Sequence, residues 1–218
     1  MRNLIVASAL ALAAAAPSIA SAEGVSVSAG ATVASKYVTS SGSVLTKGPA
    51  FQPWMEAEFN GAYFGYWGSN VDPELDGADR NSWEHDIYVG YRNEVAGFAY
   101  DVAYTKFYMN KSGAADDEVA VTVKYEINDQ FNLGAKVAWE PTANAQTNSR
   151  VFAGYNFDDK LSFKATYGKK SHGGHEYVSL AASYALNDDY SLTLTQLSRS
   201  DRKADQTVLA LDYAFSFK

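Results

Sequence analysis

From Val25 to the end of the chain, apolar and polar residues alternate one for one in segment after segment. A period of two marks a strand with unlike faces, because successive side chains of an extended backbone point to opposite sides. Val25, Val27, Ala29, Ala31 and Val33 share one face, and Ser26, Ser28, Gly30, Thr32 and Lys36 the other. Phe51, Met55, Ala57 and Phe59 likewise oppose Gln52, Glu56, Glu58 and Asn60. The pattern recurs around Val89, Val102, Val121, Leu133, Val151, Phe163, Leu180, Leu192 and Leu211. It predicts about twelve strands; residues 62–71 are aromatic on both faces, so their parity stays open.

The connections fall into two alternating classes. Short polar turns stand at Asn60-Gly61, Asn93–Gly97, Asn128–Gln130, Asp158–Lys160 and Asn187–Asp189. Longer segments stand between them at Val38–Ala50, Asn70–Ser82, Met109–Asp117, Glu140–Ser149, Lys170–His175 and Ser198–Asp205. Strict alternation of short and long predicts an all-β fold: a single antiparallel transmembrane β-barrel with short periplasmic turns, long extracellular loops and both ends in the periplasm. A soluble β-sandwich has no reason to keep this order. Fifteen tyrosines and eleven phenylalanines in a chain of mean hydropathy −0.24 suit a wall that meets lipid with every second residue. Phe59, Tyr91, Phe98, Tyr125, Phe131, Tyr155, Tyr184, Tyr190 and Phe217 adjoin the short turns, while Tyr37, Phe51, Trp83, Trp139 and Tyr167 adjoin the long loops. These are the two expected interfacial girdles.

The N-terminus reads Met1-Arg2-Asn3, an apolar run from Leu4 to Ala16, then Ser18 to Ala22 ending Ala-Ser-Ala. That is a secretory signal peptide, expected to be cleaved after residue 22 and to leave a barrel of residues 23–218. The run is too short to span a bilayer, which takes roughly 20 residues. The expected location is the bacterial outer membrane. There is no cysteine, so disulfides and thiol chemistry are excluded. The net charge is −7, near −8 once Arg2 is removed, which argues against nucleic acid as a partner. Outer-membrane lipid, lipopolysaccharide and small hydrophilic solutes are the expected partners.

Several stretches carry a resemblance. Ala34-Ser35-Lys36-Tyr37-Val38, Gly48-Pro49-Ala50-Phe51-Gln52, Gly61-Ala62-Tyr63-Phe64-Gly65-Tyr66-Trp67 and Glu84-His85-Asp86-Ile87-Tyr88-Val89-Gly90-Tyr91 are similar to the TorF-type family of proteobacterial outer-membrane proteins. The resemblance implies an outer-membrane location and a porin role, with no substrate or catalytic residue attached. That family's Arg-Gly-Ile-Ser-Gln motif is replaced here by Thr39-Ser40-Ser41-Gly42, without the arginine.

On the inner parity stand Lys36, Glu56, Glu58, Glu84, Asp86, Arg92, Asp101, Lys124, Glu126, Lys136, Arg150, Lys164 and Asp212. They are read as a charged lumen that could select solutes, as charged rings do in pores. The competing reading is a salt-bridged filling of a barrel that conducts nothing and acts structurally or as an adhesin through its loops. Small inner residues such as Gly90, Gly134 and Gly154 are expected to leave room inside the wall. A third reading, a lipid-modifying enzyme, would use His85 near the outer end of the lipid-facing side, but no Gly-x-Ser-x-Gly elbow accompanies it. No enzyme activity and no cofactor are therefore expected. His172-Gly173-Gly174-His175 reads as a solvated loop rather than a metal site, and Asp72, Glu74, Asp76 and Asp79 as a generic acidic loop. Pro53 is expected to start a strand or sit in a bulge.

Overall fold

Asn60 and Gly61 both take positive φ, 50° and 84°, and so do Ala96 and Gly97, at 52° and 81°. Two such residues in succession reverse the chain with a twist that matches the flanking strands, so each pair closes a tight hairpin. Three further short turns share one device. The side-chain oxygens of Asn128, Asp158 and Asn187 each accept hydrogen bonds from the backbone N–H groups two and three residues ahead, at 2.7–2.9 Å.

The computed structural model describes residues 24–75, 79–141, 146–171 and 174–217. The expected signal peptide lies outside the described residues. The strands are β1 (Ser26–Ala34), β2 (Ala50–Phe59), β3 (Ala62–Asn70), β4 (Trp83–Val95), β5 (Phe98–Met109) and β6 (Gly113–Glu126). They continue with β7 (Phe131–Glu140), β8 (Gln146–Asn156), β9 (Leu161–Lys170), β10 (Glu176–Ala185), β11 (Tyr190–Arg199) and β12 (Gln206–Phe217). Each pairs antiparallel with its sequence neighbours, and β1 pairs with β12 from Val27↔Phe217 to Ala34↔Ala210, closing the barrel.

The alternation becomes an inside and an outside. Phe51, Met55, Phe64, Val89, Leu133, Val151, Leu180 and Leu209 are exposed on the outer face. Toward the short-turn end, outer rings pair across strands: Phe98–Tyr125 at 4.7 Å, Phe131–Tyr155 at 4.6 Å and Tyr190–Tyr213 at 4.8 Å between centroids. On β3 the structure supplies the parity that pattern left open. Tyr63, Gly65, Trp67 and Ser69 lie across the ladder from the inward-facing residues of β4, with Phe64 exposed on the other face.

Three details differ from expectation. The third long connection shrinks to residues 110–112, because the polar stretch Gly113–Asp117 continues the ladder with β5, past a register shift between Lys106 and Tyr108. Pro53 is neither a strand start nor in a bulge: it lies within β2, opposite Ala31. Its missing donor is harmless because the β2–β3 ladder ends at Trp54; two residues earlier the Phe51 N–H, which points to the same side, bonds the Asn70 side chain instead, at 2.7 Å. The inner glycines, finally, do not leave empty space. The ring of Tyr63 lies over Gly90, that of Phe152 over Gly134, and that of Tyr177 over Gly168.

Two measurements probe these elements. Gly168→Ala would drive a methyl group into the Tyr177 ring, and overpacking of this kind costs about 1–3 kcal/mol, to be read from urea unfolding in lipid vesicles. The backbone N–H groups of Leu161 and Lys160 hold the Asp158 carboxyl below its usual range, so this turn's stabilisation is present above the unfolded-state pKa and is lost as pH falls through the depressed folded value. Asp158→Asn, which copies the other two turns, is expected to remove that acid sensitivity while retaining the fold.

Candidate functional site: the lumen

The first long loop, residues 35–49, does not project away from the barrel. Val38 bridges Val44 in a small hairpin and is only 2% exposed. It packs against Ala34, Ala50, Val208 and Ala210, all on the inner faces of β1, β2 and β12. Tyr37 meets the inner Trp67 edge-on at 5.5 Å and lies near Glu84 of β4. The tip is held from the opposite flank. The ring Nε2 of His175 lies 2.8 Å from the Ser41 carbonyl oxygen, and Arg199 at the end of β11 reaches His175 Nδ1 at 3.1 Å and Ser43 Oγ at 3.4 Å. Asp72 and Glu74 from the second long loop anchor it further: Lys47 donates its N–H to Asp72 at 2.8 Å and its ammonium to Glu74 at 3.0 Å. The loop therefore folds inward and narrows one side of the long-loop mouth.

Under this loop the inner wall is packed solid. Arg92 is clamped by Glu56 and by Glu58, the latter at 2.9 Å, with its guanidinium 4.2 Å from the Tyr63 ring centroid. Tyr63 in turn donates to Asp101 at 2.7 Å. Arg92 is 5% exposed and Asp86 2%, while Glu56, Glu84 and Asp212 are also buried. Thr32 donates to Asp212, and Ser183 and Thr193 pair at 3.0 Å. One oxygen each of Glu84, Asp86 and Asp212 is buried without a hydrogen-bond partner among the described residues.

The wall from β6 to β9 is different. Lys136 pairs with Glu118 at 3.2 Å, Lys124 with Glu126 at 2.6 Å and Lys170 with Glu140 at 3.5 Å. Arg150 lies near the Tyr177 phenol, which donates to Asn148 at 2.7 Å. Lys164 is exposed, with its ammonium 4.6 Å from the Phe152 ring centroid. The charged side chains of this wall are all at least partly exposed, whereas most of those on the opposite wall are buried.

The charged residues singled out from sequence thus divide. Glu56, Glu84, Asp86, Arg92 and Asp212 are interior packing of the β12–β5 side, with Glu58 and Asp101 at its margin. Lys124, Glu126, Lys136, Arg150 and Lys164 line the solvent-reached side. Lys36 lies beyond the end of β1 and bonds Gln206 of β12 at 2.8 Å. Glu118, Glu140 and Lys170 also face inward but escape the pattern, because Glu118 precedes the apolar alternation of β6 and the other two end β7 and β9. His175 is buried and holds the first loop, not solvated as its glycine-rich surroundings predict; His172 and Asp76 lie outside the described residues. His85 is on the outer side, its Nδ1 2.9 Å from the Tyr66 hydroxyl. No cluster of three or more acidic or histidine side chains suited to a metal occurs among the described residues.

Residues 18–214 match the family model described as a bacterial protein of unknown function, Gcw_chp. The chain belongs to this family. No curated protein matches it. Among solved structures, the KdgM porin aligns with a TM-score of 0.63 at 10% identity, over 88% of this chain and 99% of that one. The same porin in complex with disordered oligogalacturonate aligns equally well, at 9% identity. The NanC porin aligns with a TM-score of 0.52 at 10% identity, over 89% of this Gcw_chp chain and all of its own. At such identities the likeness is one of fold: this family member is a closed twelve-stranded antiparallel barrel of the kind porins use.

Removing one partner of a buried ion cluster leaves the others uncompensated. Arg92→Ala strands Glu56 and Glu58 and is expected to cost about 3–5 kcal/mol. The check is the urea midpoint of the folded barrel, with Lys164→Ala, on the solvent-reached side, nearly neutral in the same assay.

Proposed function

We propose that this protein is an outer-membrane channel for the passive passage of small hydrophilic solutes. An apolar band that circles the whole outer face, ringed by paired aromatics, is stable only against hydrocarbon, and in hydrocarbon a sheet must close to satisfy its backbone. The N-terminal signal pattern fits export, and the fold likeness to KdgM and NanC supports the same location and role. The stretches similar to TorF-type proteins point the same way. The observation that carries the channel reading is the asymmetry of the lumen. One side is packed under the first loop, while the β6–β9 side keeps charged groups in contact with solvent. A barrel filled for stability alone has no use for a solvated charged wall.

The packed side favours one competing reading, a barrel that conducts nothing and serves structurally or through its loops. Current separates the two. The mature protein refolded into planar lipid bilayers is expected to give discrete conductance steps. Arg199→Ala, which removes the hold on Ser43 and the support of His175, is expected to raise the step size or its noise. Silence from protein whose heat-modifiable gel mobility shows it folded would reject the channel and leave the structural reading.

A further inference from the structure

The protein is acidic overall, yet much of the acidity inside its barrel is buried. On the β12–β5 side of the lumen, Glu56, Glu84, Asp86 and Asp212 are buried, and Arg92 is held among its carboxylates. A solute in the lumen does not touch these groups.

On the solvent-reached side the cations are spread along the wall. Lys170 lies at the long-loop end of β9, Lys136 and Arg150 are ladder partners at mid-height, and Lys124 and Lys164 lie toward the short-turn end. The six-residue step from Lys164 to Lys170 alone spans about 20 Å of strand. Three of these cations are neutralised locally, Lys124 by Glu126, Lys136 by Glu118 and Lys170 by Glu140. Two are not. Arg150 is matched with the neutral phenol of Tyr177 and Lys164 with the face of Phe152, and neither forms an ion pair among the described residues. Lys124, Lys136 and Arg150 are each near enough to Lys164 for their charges to act on it. Five cations stand on this wall against Glu118, Glu126 and Glu140, with Asp116 near Glu140 at the long-loop end, so the surplus of positive charge lies around Arg150 and Lys164. A wall of this sign concentrates counter-ions of the opposite sign, and an arginine fork suits the planar oxygens of carboxylate or phosphate.

We infer that the lumen is an anion path: small carboxylate- or phosphate-bearing solutes pass along β6–β9, drawn by Arg150 and Lys164, in a protein whose net charge is negative. This rests on the channel reading and names the solute class for the same lumen. On the loop-capped side the carboxylates are buried or already partnered, Glu58 by Arg92 and Asp101 by Tyr63, so a solute in the lumen makes its contacts with β6–β9.

The test is the reversal potential of the mature protein in planar bilayers under a potassium chloride gradient. The wild type is expected to favour chloride. Arg150→Gln with Lys164→Gln should move the reversal potential toward the cation side, and Lys164→Glu alone should move it the same way. Lys169→Gln, next in sequence to Lys170 but on the outer face, should leave it unchanged. Inorganic phosphate or acetate added to one chamber should reduce the chloride current of the wild type more than that of the double variant. Phosphate acting alone would narrow the class to phosphate, and acetate alone to carboxylate. Cation selectivity in the wild type, or an unchanged reversal potential in a folded, conducting double variant, would overturn the inference. A folded protein that carries no current fails at the earlier step, the channel itself.

Discussion

The architecture depends on one requirement, which the proposed membrane location makes absolute: no backbone N–H or C=O in the wall can be left without a partner where hydrocarbon takes the place of water. The β1–β12 seam meets it by joining the two ends of the sheet. Once the seam exists there is an inside, and the alternation that began as a pattern in the sequence becomes a separation of two environments. Even the proline in β2 obeys the rule, placed where the ladder on its imino side has already ended.

The lumen is where the design becomes asymmetric. Rings from one strand lie across glycines of the next, so the smallest inner residues mark the places where the wall is thickest with aromatic surface. This reverses the simple expectation that small side chains enlarge a barrel. On the β12–β5 side, these rings combine with a carboxylate–guanidinium cluster and an inward loop to bury most of the inner side chains. Buried ion clusters of this kind contribute little net stability but penalise any arrangement that separates their members. The β6–β9 side has fewer such contacts, and solvent occupies what they leave.

Fold class, strand number and the rhythm of the connections were legible because they depend on local periodicity and on turn chemistry that three or four residues encode. Asn60-Gly61 states its turn outright, and Asn128, Asp158 and Asn187 state theirs. Inner-face charges were legible as a set, for parity alone assigns them. What parity does not carry is depth. Arg92 and Arg150 read alike in sequence, yet one is sealed among carboxylates and the other lies against a phenol on the open side, a difference set by strands far away in the chain. The inward course of the first loop was hidden for the same reason. Val38, Ser41 and Ser43 resemble any surface loop, and their partners Val208, His175 and Arg199 lie more than 130 residues downstream.

That separation ties the shape of the mouth to the completeness of the wall. The first loop rests on its neighbours β1 to β3, but the grip on its tip comes from His175 and Arg199 and the far flank of its packing from Val208 and Ala210. A barrel without β10 to β12 would lose both. The same strands that complete the wall also set its bore.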